Sequence, residues 1–255
     1  MRVLSDTALI FRRNIALTMR TPVWLVFGLI QPILYLAFFG PLLRIMTDAE
    51  VPGFAGTDSW RVYVPGLLVQ LGLFGSTFVG FGIIAEWRAG VIERMRVTPA
   101  SRVGLLLGRV LRDVAVLVVQ ASVLILAGVA FGLRAPVIGV FLGLSFVALL
   151  AASLAALSYA AALWTKSEDA FAPMIHSVTL PIWLLSGIIL PMEGAPDWLR
   201  TISQFNPLTH IVNAMRAVFQ GEYLSMTVGL GAVVGVALAA VSVAVCTKAF
   251  VKDNA

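Results

Sequence analysis

Hydrophobic positions in this chain come in long unbroken blocks rather than in alternation. Six uncharged runs stand out: Val23–Leu43, Val62–Ala85, Val114–Leu133, Val137–Trp164, Ala170–Leu190 and Tyr223–Thr247. A helix needs roughly 20 mostly apolar residues to cross the hydrocarbon core of a bilayer, and each run reaches that length. Barrel strands would instead alternate apolar and polar residues over about ten positions. The pattern predicts an all-α integral membrane protein with six transmembrane helices. Between and beyond the runs lie segments of 22, 18, 28, 3, 5, 32 and 8 residues. None reaches the roughly 40 residues below which a free-standing domain needs metals, disulfides or a partner. Residues 1–255 are therefore expected to form a single membrane domain with no soluble catalytic part.

Three of the segments outside the runs carry helical patterns of their own. In residues 1–20, Leu4, Ala8, Phe11, Ile15 and Met19 share one stripe, with Arg2, Asp6, Arg13 and Arg20 on the opposite side. This predicts an amphipathic helix lying in the membrane interface. In residues 86–101, Trp87, Val91 and Met95 are spaced four apart and predict a short helix across one mouth of the bundle. Thr98-Pro99 stops it, because the residue before proline is pushed out of the α region. Ser101 can then cap the next helix. In residues 191–222, Asp197 is positioned to cap a helix presenting Trp198, Leu199, Ile202 and Phe205. Asn206 caps a second, with Pro207 at its first position and Gly221 as its stop. Leu208, Ile211, Val212, Met215, Val218 and Phe219 form the apolar face of that second helix. Both are too short to span, and they are expected to dip part way into one leaflet or to roof the bundle.

Composition sharpens the class. Of the 255 residues 60% are hydrophobic and only 12% charged, and the mean hydropathy is +0.96, which excludes a disordered chain, a coiled coil and a water-soluble globule. Cys246 is the one cysteine, so there is neither a disulfide framework nor a multi-thiolate metal site. The net charge of +5 is distributed unevenly. An even span count puts both termini on one side, and that side collects 13 of the Lys and Arg residues against 5 on the other. The positive-inside rule makes the richer side cytoplasmic, and topology rather than nucleic-acid binding accounts for the basic character. Four Arg precede the first run and no small-residue cleavage pattern follows it, so it is expected to be a retained anchor.

The chain lacks the motifs of several enzyme classes. There is no Gly-rich phosphate loop ending in Lys-Ser/Thr, no His-Glu-x-x-His and no Gly-x-Ser-x-Gly. The thirteen acids fall at run ends or in loops, whereas an ion-coupled carrier normally places an ionisable group near midplane. His176 is the exception, as a proton relay or as a satisfied interior residue. Gln70 and Gln120, inside runs, are read either as helix–helix hydrogen bonders or as substrate contacts. A polar-lined bundle with no coupling acid and no nucleotide site either conducts passively or is driven by a partner acting on Glu86–Val97. An intramembrane enzyme is a third reading, for which no nucleophile–base or metal constellation can be assembled.

Two blocks carry a family resemblance. The first is Gly90-Val91-Ile92-Glu93-Arg94-Met95-Arg96-Val97-Thr98-Pro99, followed by Ser101-Arg102 and Leu106-Leu107-Gly108-Arg109. The second is Leu184-Leu185-Ser186-Gly187, Pro191, Pro196-Asp197-Trp198-Leu199, Asn206-Pro207-Leu208-Thr209 and Ala214-Met215-Arg216. With its amphipathic start and six runs, the chain resembles the membrane subunit of a type-2 ATP-binding-cassette exporter, in the daunorubicin-resistance and nodulation-factor export group. Val91-Ile92 stands where that group often has a small–polar pair. The resemblance implies a permease in a bacterial plasma membrane, working as a dimer with a second copy or a homologous chain. Two copies of a separate cytoplasmic ATPase would bind the ATP and Mg, this chain holding no cofactor itself. It further implies that Glu86, Arg88, Gly90, Val91, Glu93, Arg94, Met95, Arg96, Thr98, Pro99 and Ser101 belong to an ATPase-coupling segment. Pro191, Pro196, Trp198, Asn206, Pro207 and Arg216 would belong to an extracellular gate. The cargo is expected to be an amphiphilic drug or natural product, or else a glycolipid or polysaccharide.

Overall fold

A computed structural model describes residues 2–21, 23–48, 58–91, 101–189 and 191–253. The described residues form helices α1 (Arg2–Arg20), α2 (Val23–Asp48), α3 (Ser59–Thr77), α4 (Gly80–Arg88), α5 (Arg102–Phe131), α6 (Val137–Thr165) and α7 (Glu168–Leu185). A 3-10 turn at Met192–Gly194 then leads into α8 (Asp197–Gln204), α9 (Pro207–Gln220) and α10 (Met226–Asp253). Four stretches are long and apolar enough to cross a membrane: Ser59–Arg88, Val103–Phe131, Val137–Thr165 and Met226–Phe250. Val3–Arg20 and Leu25–Gly40, bent by 71° where they meet, make a fifth if taken as one broken span. The chain is thus an all-α, multi-span membrane protein.

Consecutive long helices run in opposite directions and bury two apolar clusters, one toward each end of the bundle. The larger contains Val64, Leu68, Leu124, Val147 and Leu150 and surrounds α9; we call this the Arg216 end. The smaller contains Ile84, Leu106, Tyr159, Phe171 and Cys246 at the opposite, Arg109 end. Helix α6 supplies residues to both clusters, which its small, apolar sequence allows without thick side chains holding neighbours apart.

Several boundaries differ from those read off the runs. The second run is not one helix: α3 ends at Thr77 and α4 starts at Gly80. Ser158 of α6 bridges that break, its hydroxyl donating to Thr77 O (2.5 Å) and accepting from Gly80 N–H (2.9 Å). A Cβ at Gly80 would fall 2.7 Å from the Ser158 carbonyl oxygen, so glycine permits the approach. The run ending at Leu190 stops being helical at Leu185, where Ser186 and Gly187 (φ +72°) turn the chain. Helix α7 itself has 18 residues and includes Pro173 and Pro181. Helix α5 begins at Arg102, well before the apolar run at Val114, and so carries Asp113 into the bundle. That acid, expected at a span end, is only 3% exposed.

Two further expectations change. Helix α9 is not a roof. Its predicted apolar face is wholly buried against α3, α6 and α10, so the helix is inserted into the bundle. Asp197 is the first residue of α8 rather than its cap, Pro196 taking that place, and its carboxylate still faces the favourable positive end of the helix dipole. Helix α1 packs on α5 through Gly104 and Gly108, whose missing side chains let Thr7 and Ile10 come close. The face that packs is the one holding Asp6 and Thr7; Leu4, Ala8 and Met19 of the predicted stripe point away from the protein.

Replacing Ser158 by Ala leaves Gly80 N–H and Thr77 O without the hydroxyl that joins them. We expect a loss of about 1–2 kcal/mol, read as a lowered thermal midpoint in detergent. Ser145→Ala, at an exposed serine that bonds only the preceding turn, is expected to stay within about 0.5 kcal/mol.

Candidate functional site at the two ends of the bundle

At the Arg109 end, three consecutive residues finish α4 and each engages a different part of the bundle. Glu86 pairs with Arg109 of α5. Trp87 lies under Lys166, whose Nζ is 5.5 Å from the ring centroid and which ends α6 in a left-handed conformation. Arg88 pairs with Glu168, the first residue of α7, at 3.3 Å. Arg88 and Glu168 are both half-exposed, so this contact is weak by itself. Its importance is positional: the stub of the second span is tied to three helices where the chain leaves it. Gly90 (φ +66°) turns the chain out of α4 inside the predicted coupling segment, so Trp87 and Val91 do not share the one unbroken helix expected of them; Val91 is the last described residue before residue 101. Glu93, Arg94, Met95, Arg96, Thr98 and Pro99 lie outside the described residues.

The chain returns at Ser101, which caps α5 as expected, accepting from Gly104 N–H at 3.3 Å. Asp6 of α1 accepts from Ser101 N–H at 2.8 Å. The two acceptors act like a capping box in which the acid arrives from another helix. The sequence pattern places Asp6 only opposite the apolar stripe, and the packing of α1 on α5 gives it this role. Deeper in, Tyr159 of α6 donates to Asp113, and Arg112 Nε lies 3.1 Å from the other oxygen of that carboxylate. Asp113, Tyr159 and Arg109 therefore form a buried polar layer beneath the junction. The signal available in sequence was the Arg109-x-x-Arg112-Asp113 pattern, which puts cations one turn apart on the helix carrying the acid.

At the Arg216 end, side chains from α9 and its cap close off the end of α7. Asn206 Nδ2 donates to Ile182 O (2.7 Å), Thr209 Oγ1 to Leu185 O (3.2 Å), and Arg216 to Gly187 O (2.7 Å) and Ile188 O (3.3 Å). Arg216 Nε also reaches Val62 O of α3 at 3.1 Å. The last carbonyls of a helix have no partners in the helix itself, so these donors supply what α7 cannot. The guanidinium is 7% exposed, and its fan of donors suits several carbonyls at once. Gly66 leaves room for the Ile188 carbonyl against α3. Asn206 also caps α9, accepting from Leu208 N–H at 3.0 Å, with Pro207 following. Pro191 enters the 3-10 turn and Pro196 precedes α8, while Trp198 is exposed and apart from the carbonyl cluster.

Of the three candidate path residues, Gln70 and His176 lie along one seam and Gln120 lies elsewhere, against α2. Helices α3 and α4 run beside α7 with Phe74 against Trp183 (5.9 Å), Phe78 against His176 (5.4 Å) and Phe81 against Phe171 (4.8 Å). Gln70, one turn from Phe74, is 2% exposed, and neither atom of its amide has a hydrogen-bond partner; the same holds for Trp183 Nε1. His176 is exposed beside Phe78. Gln120 instead donates to Leu25 O of α2 at 2.9 Å, a helix–helix hydrogen bond. Among the described residues no group of three His, Cys, Asp or Glu can hold a metal ion.

A sequence profile described as ABC-2 type transporter matches residues 6–219. The chain is 26% identical over 242 residues to "Daunorubicin resistance ABC transporter permease protein DrrB1" of Streptomyces coeruleorubidus, covering 92% of this chain and 82% of that one. It is 26% identical over 202 residues to "Putative transport permease ycf38" of Cyanophora paradoxa, covering 78% of this chain and 69% of the relative. Against "Probable multidrug ABC transporter permease YbhR" of Escherichia coli K12 it is 23% identical over 164 residues, 63% of this chain and 44% of the other.

The buried layer below the junction predicts a coupled pair. Tyr159→Phe and Asp113→Asn should each lower stability by about 1–3 kcal/mol, since each leaves a partner in a site without water. In a double-mutant cycle the two effects should fall short of additivity by more than 0.5 kcal/mol, on the order expected for residues in contact.

Proposed function

Because the chain belongs to the ABC-2 type transporter family, we propose that its export activity is driven through the junction at Glu86–Arg88 by a separate ATPase. It is an ABC-type exporter permease subunit that moves a substrate out of the cell and has no ATPase site of its own. In this reading the Arg109 end and both termini face the cytoplasm of a bacterial plasma membrane, as the 13 to 5 division of cations supports. The spans number six: α2, α3 with α4, α5, α6, α7 with the residues that follow it, and α10. Helix α1 lies in the interface, its outward apolar stripe against lipid.

Segment 86–101 docks on the ATPase, which comes in two copies and binds ATP and Mg. The observation that carries this role is the fan of contacts made by Glu86, Trp87 and Arg88 to α5, α6 and α7. A push on the segment is delivered to three spans at once, and the break at Thr77–Gly80 lets α4 tilt without dragging the whole of α3. The other end, residues 191–222, is the extracellular gate, where Asn206, Thr209 and Arg216 hold the end of α7 closed.

Two permease chains, identical or homologous, enclose the path between them, with exposed His176 on the seam beside it and Gln70 buried further along the same seam. An amphiphilic drug or natural product fits a seam of aromatic rings with one unpartnered amide, and two relatives carry names tied to daunorubicin resistance and multidrug transport. A glycolipid or polysaccharide is the second cargo class.

The test joins charge reversal at Glu93 and Arg94 to Met95→Ala, in a segment whose apolar plug and flanking charges suit a polar partner surface. Interface anchors of this kind typically contribute about 2 kcal/mol or more. The triple variant should insert normally, recover less ATPase on co-purification, and fail to export. Normal ATPase recovery and export by that variant would reduce the segment to a topogenic loop.

A further inference from the structure

Beside α9, within the proposed gate segment, the surface opens into a groove of about 650 Å³ that shares Thr209 with the closure of α7. Its walls are the end of α8, the first turns of α9 and the start of α10, with polar Gln204, His210 and Asn213 and apolar Phe205, Met226 and Leu230 among the lining residues. The volume lies in the range of ligand pockets. The groove closes where Gly231 of α10 meets Ala214 and the His210 carbonyl, a crossing that leaves no room for a Cβ. His210 Nε2 lies 2.9 Å from the Gln204 carbonyl oxygen. A carbonyl only accepts, so Nε2 is the donor in this contact.

Two observations identify the occupant. First, none of the lining residues is Asp, Glu, Lys or Arg, so the polar lining offers an amide, an imidazole and hydroxyls to neutral hydrogen-bonding groups. Second, the apolar lining does not end at the groove. Met226 and Leu230 continue along α10 as Val233, Ala237 and Val241, all exposed at helical spacing. Phe205, 85% exposed, extends the same surface on α8 together with Ile202 and Trp198. An exposed apolar stripe on a membrane-crossing helix faces acyl chains, and a tryptophan beside its end suits the headgroup level. The groove thus opens where a lipid lies with its chain along α10 and its ester and headgroup region at the level of His210.

We infer that this groove is a binding site for one diacyl phospholipid of the adjoining leaflet. One acyl chain runs over Met226 and Leu230, and an ester carbonyl of the glycerol region accepts from the Asn213 amide. Seated there, the lipid braces the outer faces of α8 and α9 and fills space that would otherwise let the two helices separate from α10. The inference rests on the membrane placement of α10 and not on coupling to an ATPase, so either can fail alone.

Native mass spectrometry tests it on the purified permease complex equilibrated with palmitoyl-oleoyl phosphatidylethanolamine and then washed in detergent. The unaltered protein should retain one phospholipid per permease chain. Leu230→Trp, which fills the groove, and Asn213→Leu, which removes a polar contact at an exposed site, should each cut the retained fraction at least tenfold. Val236→Trp, lower on the exposed face of α10, should leave it unchanged, and thermal midpoints should confirm that each variant remains folded. No retained phospholipid in the unaltered protein, or equal loss in Val236→Trp, would show annular lipid only and overturn the site. Dissociation of the permease pair in Leu230→Trp would instead make the groove a contact between subunits, which also overturns it.

Discussion

In hydrocarbon every backbone N–H and C=O must find a partner inside the protein, and this chain breaks one long apolar stretch at Thr77–Gly80 and ends α7 against α9. The interruptions set much of the remaining architecture. At Thr77–Gly80 a single serine hydroxyl from α6 serves both sides of the gap. At the end of α7 the same problem is larger, because a helix terminus leaves several carbonyls unserved. Asn206, Thr209 and Arg216 answer it from one short helix, which explains why α9 is buried in the bundle instead of lying over it. A buried guanidinium is costly when its charge lacks compensation. Here the carbonyl ends of α7 present concentrated negative dipole to it, and α3 adds a further acceptor.

The two ends of the bundle are held by different forces, and the difference bears on the proposed movement. The Arg216 end depends on directional hydrogen bonds to main-chain atoms, in a cluster closed to water. Such bonds are either made or lost, which suits a closure with two states. The Glu86–Arg109 and Arg88–Glu168 contacts at the other end involve partly exposed carboxylates. The Arg88–Glu168 pair, exposed on both sides, tolerates rearrangement because water replaces what is lost, whereas Arg109 is itself buried and holds Glu86. Beneath them the Asp113–Tyr159 layer is buried. In the proposed coupling, a junction that shifts above a hydrogen-bonded buried layer passes a local push to whole helices.

Much of this was legible in the sequence where the determining physics is local. Ser101 as a cap, Asn206-Pro207 as a helix start and Gly221 as a stop follow from backbone groups within a few residues, and all three hold. The long helices follow from runs that can satisfy their backbones only as helices. Features set by distant partners were not legible. Nothing near Asp6 in the chain indicates that it meets Ser101, and the absence of proline at Thr77–Gly80 hides the break that Ser158 sustains. Hydrophobicity overran the end of α7, since Ile188 and Ile189 are as apolar in a turn as in a helix. It also left Gln70 and Gln120 alike, although one is bonded to Leu25 and the other to nothing. The length of α9 showed that it cannot span, but whether a short amphipathic helix lies over a bundle or within it depends on what waits to be bonded underneath.

The central claim is that force enters this chain at the junction where α4 ends. Site-specific photo-crosslinking in intact cells tests it most directly, with a photoreactive residue placed singly at Val91, Glu168 or Phe205. The account predicts an adduct between the permease and its ATPase from Val91, a weaker one from Glu168 and none from Phe205. An ATPase adduct from Phe205, or none from Val91 while the complex still co-purifies, would contradict it.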